Sequence, residues 1–168
     1  MDEQRFWAII EQAWKKVGGA TVARQRLIAD EFTEADLVAL LDALDDLMPA
    51  LRKQLYPLTA EELLAFDRIL ERKLYEIDRV DMHTRTEGTA KEFLAIRGFI
   101  VAAGKDCYEA VGANPALAVP ELDCEELCYM PMRMYEKQFG KMPRSEISRE
   151  TCSNALQWPE DEPEPEPD

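Results

Sequence analysis

Pro57-Leu58-Thr59-Ala60-Glu61-Glu62-Leu63 is the stretch on which the fold reading turns. Thr59 and Glu62 have the spacing of a capping box, in which a hydroxyl and a carboxylate three residues apart satisfy each other's backbone N–H groups at a helix start. Leu58 can staple onto Leu63 across that start. Apolar residues then recur at Leu63, Phe66, Ile69, Leu70, Leu74 and Ile77, the three-and-four spacing of one helix face. A helix is therefore predicted to begin at Thr59 and to run to about Ile77.

The same signals recur on both sides of this stretch. Upstream, Asp2 caps a helix striped by Phe6, Ile9, Ile10, Ala13, Trp14 and Val17, and Gly18-Gly19 ends it. Thr21–Glu31 follows as a shorter segment. Thr33, ahead of Glu34 and Asp36, opens another helix with Leu37, Leu40, Leu41, Leu44, Leu47 and Met48 inward, and Pro49 predicts a break near Met48. Downstream, the polar stretch Asp78–Gly88 reads as a helix-end loop. Thr89 with Glu92 is a second capping box, heading a helix with Phe93, Leu94, Ile96, Phe99 and Ile100 that Gly104 closes. A short helix is predicted around Asp106–Val111, then a loop from Gly112 to Pro120. Asp123 with Glu126, stapled by Leu122 and Leu127, predicts a third box and a helix reaching Phe139. Ser145–Glu150 could form one helical turn. Nothing alternates with period two long enough for a strand.

The expectation is an all-α, compact domain of six or seven helices over residues 1–140. A partly ordered extension follows over 141–158, with Trp158 pinning the last ordered residues to the body. A disordered acidic Pro/Glu tail then occupies 159–168, where four prolines and six acids offer no core. Hydrophobic residues make up 46% of the 168, enough for a core despite 32% charged residues.

The formal net charge is −14, from 34 acids and 20 bases. Without the six acids of the tail, the body still carries −8. Phosphate binding needs clustered Lys and Arg, so nucleic acid is a poor partner, and a protein with a basic surface fits better. No run approaches the ~18 apolar residues of a membrane span, and no helix has the basic face of a membrane-surface helix. The first residues lack an export pattern. A cytoplasmic protein with reduced thiols at Cys107, Cys124, Cys128 and Cys152 is the resulting expectation.

Phosphate loops and nucleophile elbows are missing from the sequence. Cys124 and Cys128 share a helix face but have no second pair, so neither metal nor cofactor is expected, and the two thiols read as small buried hydrophobes. His83 is the one histidine and sits among Asp78, Asp81 and other polar residues. Arg97 lies on an otherwise apolar face and needs an acid, for which Asp78 is the nearest candidate. Asp78, Asp81, His83 and Arg97 are thus the candidate ligand-binding residues, and no catalytic set is assigned.

Several weak motifs in order give the chain a resemblance. They are Phe6-Trp7-x-x-Ile10 with Ala13; Leu58-Thr-x-Glu61-Glu62-Leu63 with Phe66 and Leu74-Tyr75; and Phe93-x-x-x-Arg97-x-Phe99-Ile100-x-x-x-Gly104. Tyr108-Glu109-Ala110, Asn114-Pro115, Cys124-Glu-Glu-Leu127, Tyr129 and Tyr135 complete the series. Together they resemble the bacterial domain of unknown function 4240 family. The resemblance implies an all-α, small, cytoplasmic bacterial protein and no particular reaction. Family members typically end the central helix with tryptophans and a Gly-Gly-Cys-Ser-Asp-Asp-like loop. Here Ile77–Thr89 has no Trp, and residues about Glu34–Tyr56 look like extra length. Two functions remain open. One is a non-catalytic protein-binding module with an acidic surface that neutralises or regulates a basic partner. The other is an enzyme or small-ligand receptor using a polar helix-end pocket around Asp78–Gly88 and Arg97.

Overall fold

The structure, a computed structural model, describes residues 1–158. Among these are eight α-helices, two short 3-10 turns and no strand. In chain order the helices are α1 (Glu3–Lys16), α2 (Thr21–Ile28), α3 (Glu34–Leu55), α4 (Ala60–Glu76), α5 (Val80–Thr86), α6 (Ala90–Ala102), α7 (Lys105–Ala113) and α8 (Glu125–Phe139). The 3-10 turns are Pro115–Leu117 and Ala155–Gln157. The tail expected to be disordered, Pro159–Asp168, lies outside the described residues.

Helix α6 is the axis of the fold. From Phe93 to Ala102 every residue is buried, as expected for a helix apolar all round but for Arg97. It packs chiefly on α8, and also on α4, α7 and α5, while α1 packs on α3 and α4, and α3 on α8. Gly98 sets the α6–α8 spacing, because a Cβ there would fall 2.5 Å from the Cys124 carbonyl oxygen and 2.7 Å from Cys128 Sγ. Trp14 of α1 reaches the end of α6, its indole N–H donating to the Ala102 carbonyl at 2.7 Å.

Asp2, Thr59 and Thr89 cap their helices as the sequence predicts, and Thr33 with Asp36 makes a further capping box. The third predicted box fails. Helix α8 starts at Glu125 with Cys124 at its N-cap and no side-chain cap. The backbone there is already committed, since the Cys124 N–H donates to the Ala95 carbonyl of α6 at 2.8 Å.

Other expectations need correction. Pro49 does not break α3, which runs unbroken through it. Pro49 is exposed while Met48, Ala50 and Leu51 are buried, so the carbonyl left without a donor sits on the solvent side, where water can satisfy it. The stretch Asp78–Gly88 is largely helix rather than loop: α5 forms because Met82 is fully buried and Thr84 and Thr86 bond back to the carbonyls of Val80 and Met82. Ser145–Glu150 makes no helical turn, and the turn expected there falls at Ala155–Gln157 instead.

Candidate functional site

Asp78 lies just beyond the end of α4 and is fully buried. A buried carboxylate must be hydrogen-bonded or paired. Its partners come from the segment after α8. The backbone N–H of Cys152 and the indole N–H of Trp158 donate to Oδ1 at 3.2 and 3.1 Å, and the N–H of Asn154 donates to Oδ2 at 3.0 Å. Arg97, fully buried on α6, places Nη1 3.7 Å from the same Oδ1. The ion pair expected between them is therefore present.

Arg97 makes further contacts. Nη1 donates to the Leu74 carbonyl at 2.9 Å, and Nη2 to Thr151 Oγ1 at 3.0 Å. The guanidinium lies over the Phe93 ring, 4.7 Å from its centroid. Nε has no hydrogen-bond partner although it is buried. Burial pulls the Arg97 pKa downward, with Asp78 opposing. The half-buried His83 ring joins through Trp158. His83, Phe93 and Trp158 form a three-ring cluster with centroids 5.2 to 6.2 Å apart, and His83 Nε2 is 2.9 Å from the Gly88 carbonyl oxygen. Asp81 stands apart. It pairs with Arg79 at 2.8 Å on the exposed side of α5, and this Arg79 contact holds its carboxyl below the usual range.

The structure thus gathers Asp78, Arg97 and His83 around the C-terminal segment and leaves Asp81 outside. A second anchor of that segment is absent from the sequence reading. Arg149 is buried against Asp67 at 2.9 Å and Glu71 at 3.3 Å, and its Nη1 also donates to the Cys128 carbonyl. Burial pushes the Asp67 carboxyl up despite Arg149. Asp67 and Glu71 sit one turn apart between Phe66 and Leu74, so two acids on a buried stripe were a legible signal. Arg149, in a segment without periodicity, carried none.

Cys107, Cys124 and Cys128 are buried thiols. Cys124 Sγ is 3.5 Å from Met48 Sδ, and Cys128 donates to the Leu94 carbonyl. Burial pushes both thiols up to about 12, as inert structural cysteines show. Cys107 lies elsewhere, against the Arg24 carbonyl, and burial raises it to about 11.

A different surface is strongly acidic. The outward face of α3 presents Glu34, Asp42, Asp45 and Asp46, all exposed, and no Lys or Arg occurs from Glu34 to Leu51. Val38 and Leu41 stand among these acids, 53% and 43% exposed. Near the start of α6, a groove of about 500 Å³ is lined by Glu87, Glu92, Asp123 and Glu125, with Lys91 among them, over Ala95 and Ile96. Among the described residues, no helix is long and apolar enough to cross a membrane.

Compared with known proteins, residues 1–137 match the family described as "Protein of unknown function (DUF4240)". Neither a curated protein nor a solved structure matches the chain.

Proposed function

The chain belongs to the DUF4240 family, and on that premise we propose that it is a non-catalytic protein-binding module, cytoplasmic, whose acidic surface engages a partner with a basic face and neutralises or regulates it. The outward face of α3 carries this reading. Exposed apolar side chains ringed by one sign of charge have the composition of a docking surface, with an apolar centre for affinity and charge for steering. The same field repels phosphate, so nucleic acid is not the partner. The alternative, an enzyme or small-ligand receptor built on Asp78, Asp81, His83 and Arg97, draws less support. Asp78 and Arg97 are sealed from solvent, and Asp81 faces away with Arg79.

The test is capture of a partner by the full chain, followed by association kinetics across salt. The expected partner is basic and associates more slowly as salt rises. Replacing Asp42, Asp45 and Asp46 together by Asn should lower the on-rate by about tenfold at low salt, within the range of electrostatic steering. A captured partner indifferent to salt and to the triple substitution would overturn the reading.

A further inference from the structure

Asp67, Glu71, Asp78, His83 and Arg97 each contact one segment, residues 149–158. The five lie inside the span matched by the family, and the segment lies beyond it. We propose that this face of α4, α5 and α6 is a peptide-binding groove, that Arg149–Trp158 occupies it in cis, and that its ligand class is an extended peptide bearing an arginine and, nine residues later, an indole. The inference does not rest on the acidic face of α3.

The pattern of contacts is that of peptide recognition. Main-chain groups give the affinity and a few side-chain pockets give the specificity. Asp78 accepts two backbone N–H groups, from Cys152 and Asn154, so it holds a chain without reading its side chains. The body reads side chains at the two ends. Asp67 and Glu71 form an acidic socket for Arg149, a fork matched to carboxylates. Trp158 lies against His83 and Phe93 while its N–H reaches Asp78. Between them Thr151 bridges Arg97 and the Ala90 carbonyl.

The segment is held by these anchors rather than by a packed core of its own. From Ser145 to Trp158 its only regular structure is the Ala155–Gln157 turn, and only Arg149 and Asn154 are buried. Leu156 is 92% exposed. The occupant leaves one buried donor unmet. A groove of about 410 Å³ lies open where Met142–Ser145 and Ile147–Glu150 run past Arg68 and Glu71 of α4 and Tyr129 and Met132 of α8. Arg97 Nε, buried and without an acceptor, is a donor that a peptide with an oxygen at that point would satisfy.

The test keeps the full chain. A specific protease site is inserted between Arg144, which is exposed, and Ser145. The protein is folded, cut, and mixed with a fluorescent synthetic peptide of residues 145–158. The expected result is a cut protein that stays folded and exchanges its own segment for the labelled one, one per body. Peptides with Arg149→Ala or Trp158→Ala should compete at least about thirtyfold more weakly for the arginine, the effect of truncating one partner of a buried charge pair, and measurably more weakly for the indole. The proposal is overturned if the body unfolds on cutting, if exchange proceeds only at the rate of global unfolding, or if a scrambled peptide of equal composition binds as well. In the uncut chain, Trp158→Ala should raise uptake of the labelled peptide over the unaltered chain, and equal uptake counts against displacement.

Discussion

Arg97 was legible as a residue that needed an acid, because a guanidinium on an apolar helix face cannot stay alone. Asp78 was legible as its partner because it follows the end of the helix that the Thr59 box starts. The third party was not legible: Thr151 and the backbone of Cys152 and Asn154 complete the arrangement, and backbone donors leave no mark in residue identity. The pair sits at zero exposure, so its loss is expected to be expensive. Arg97→Ala should destabilise by about 3–5 kcal/mol, because it leaves Asp78 as an uncompensated buried charge. Arg97→Lys should recover little, since an ammonium cannot reach Leu74 and Thr151 in the planar geometry of a guanidinium. Urea unfolding of the two variants and of Arg97→Ala with Asp78→Asn checks this. If the pair is the cause, the double variant is more stable than Arg97→Ala alone. An additive double variant would show that the two residues act independently.

Helix starts with a local chemical signal were read correctly, while the cap of α8 and the whole of α5, which tertiary contacts set, were not. Thr59 with Glu62 and Thr89 with Glu92 need only their own neighbours, so the sequence contains the whole reason for the helix start. Asp123 has the same pattern, but the Ala95 carbonyl claims the next backbone N–H, and the start moves to Glu125. Helix α5 likewise depends on burial of Met82 against distant residues, which no local spacing records. The caps make a pH prediction. The Thr59 backbone N–H lowers the Glu62 pKa, the Thr89 N–H lowers that of Glu92, and the Thr33 hydroxyl lowers that of Asp36. A depressed folded-state pKa means stability that is present above the unfolded carboxylate value and lost as pH falls through the folded one. Melting temperature should therefore fall on acidification from the ordinary carboxylate range downward. Glu62→Gln with Glu92→Gln, which keeps a capping acceptor, should melt near the unaltered chain at neutral pH and show a flatter acid limb. An unchanged acid limb would mean that other groups set it.

At the scale of the whole molecule, charge and burial divide the C-terminal part into two pieces with opposite expected effects. Pro159–Asp168 supplies six of the 34 acids and only proline as apolar content. Truncation after Trp158 should leave the melting temperature unchanged, because almost no apolar area leaves the core. It should also slow association with a basic partner at low salt, because concentrated charge acts on encounter within about a Debye length. Truncation after Gly140 is a different operation. It removes Arg149 from Asp67 and Glu71, and it removes three donors from Asp78. The body then has three acids, buried in the intact chain, whose partners are reduced to Arg68 and Arg97. Each lost buried partner costs about 1–3 kcal/mol, and more where the group is charged. Such a sum is a large part of the stability of an ordinary domain, so the body truncated after Gly140 should melt far lower while staying folded at ambient temperature. Saturating peptide 145–158 should restore part of that loss by mass action. Thermal melts of both truncations, with and without peptide, check the division. Equal stability of the two would mean that the buried acids find other partners or open to water once the segment is gone, and that Arg149–Trp158 adds nothing to the body it lies on.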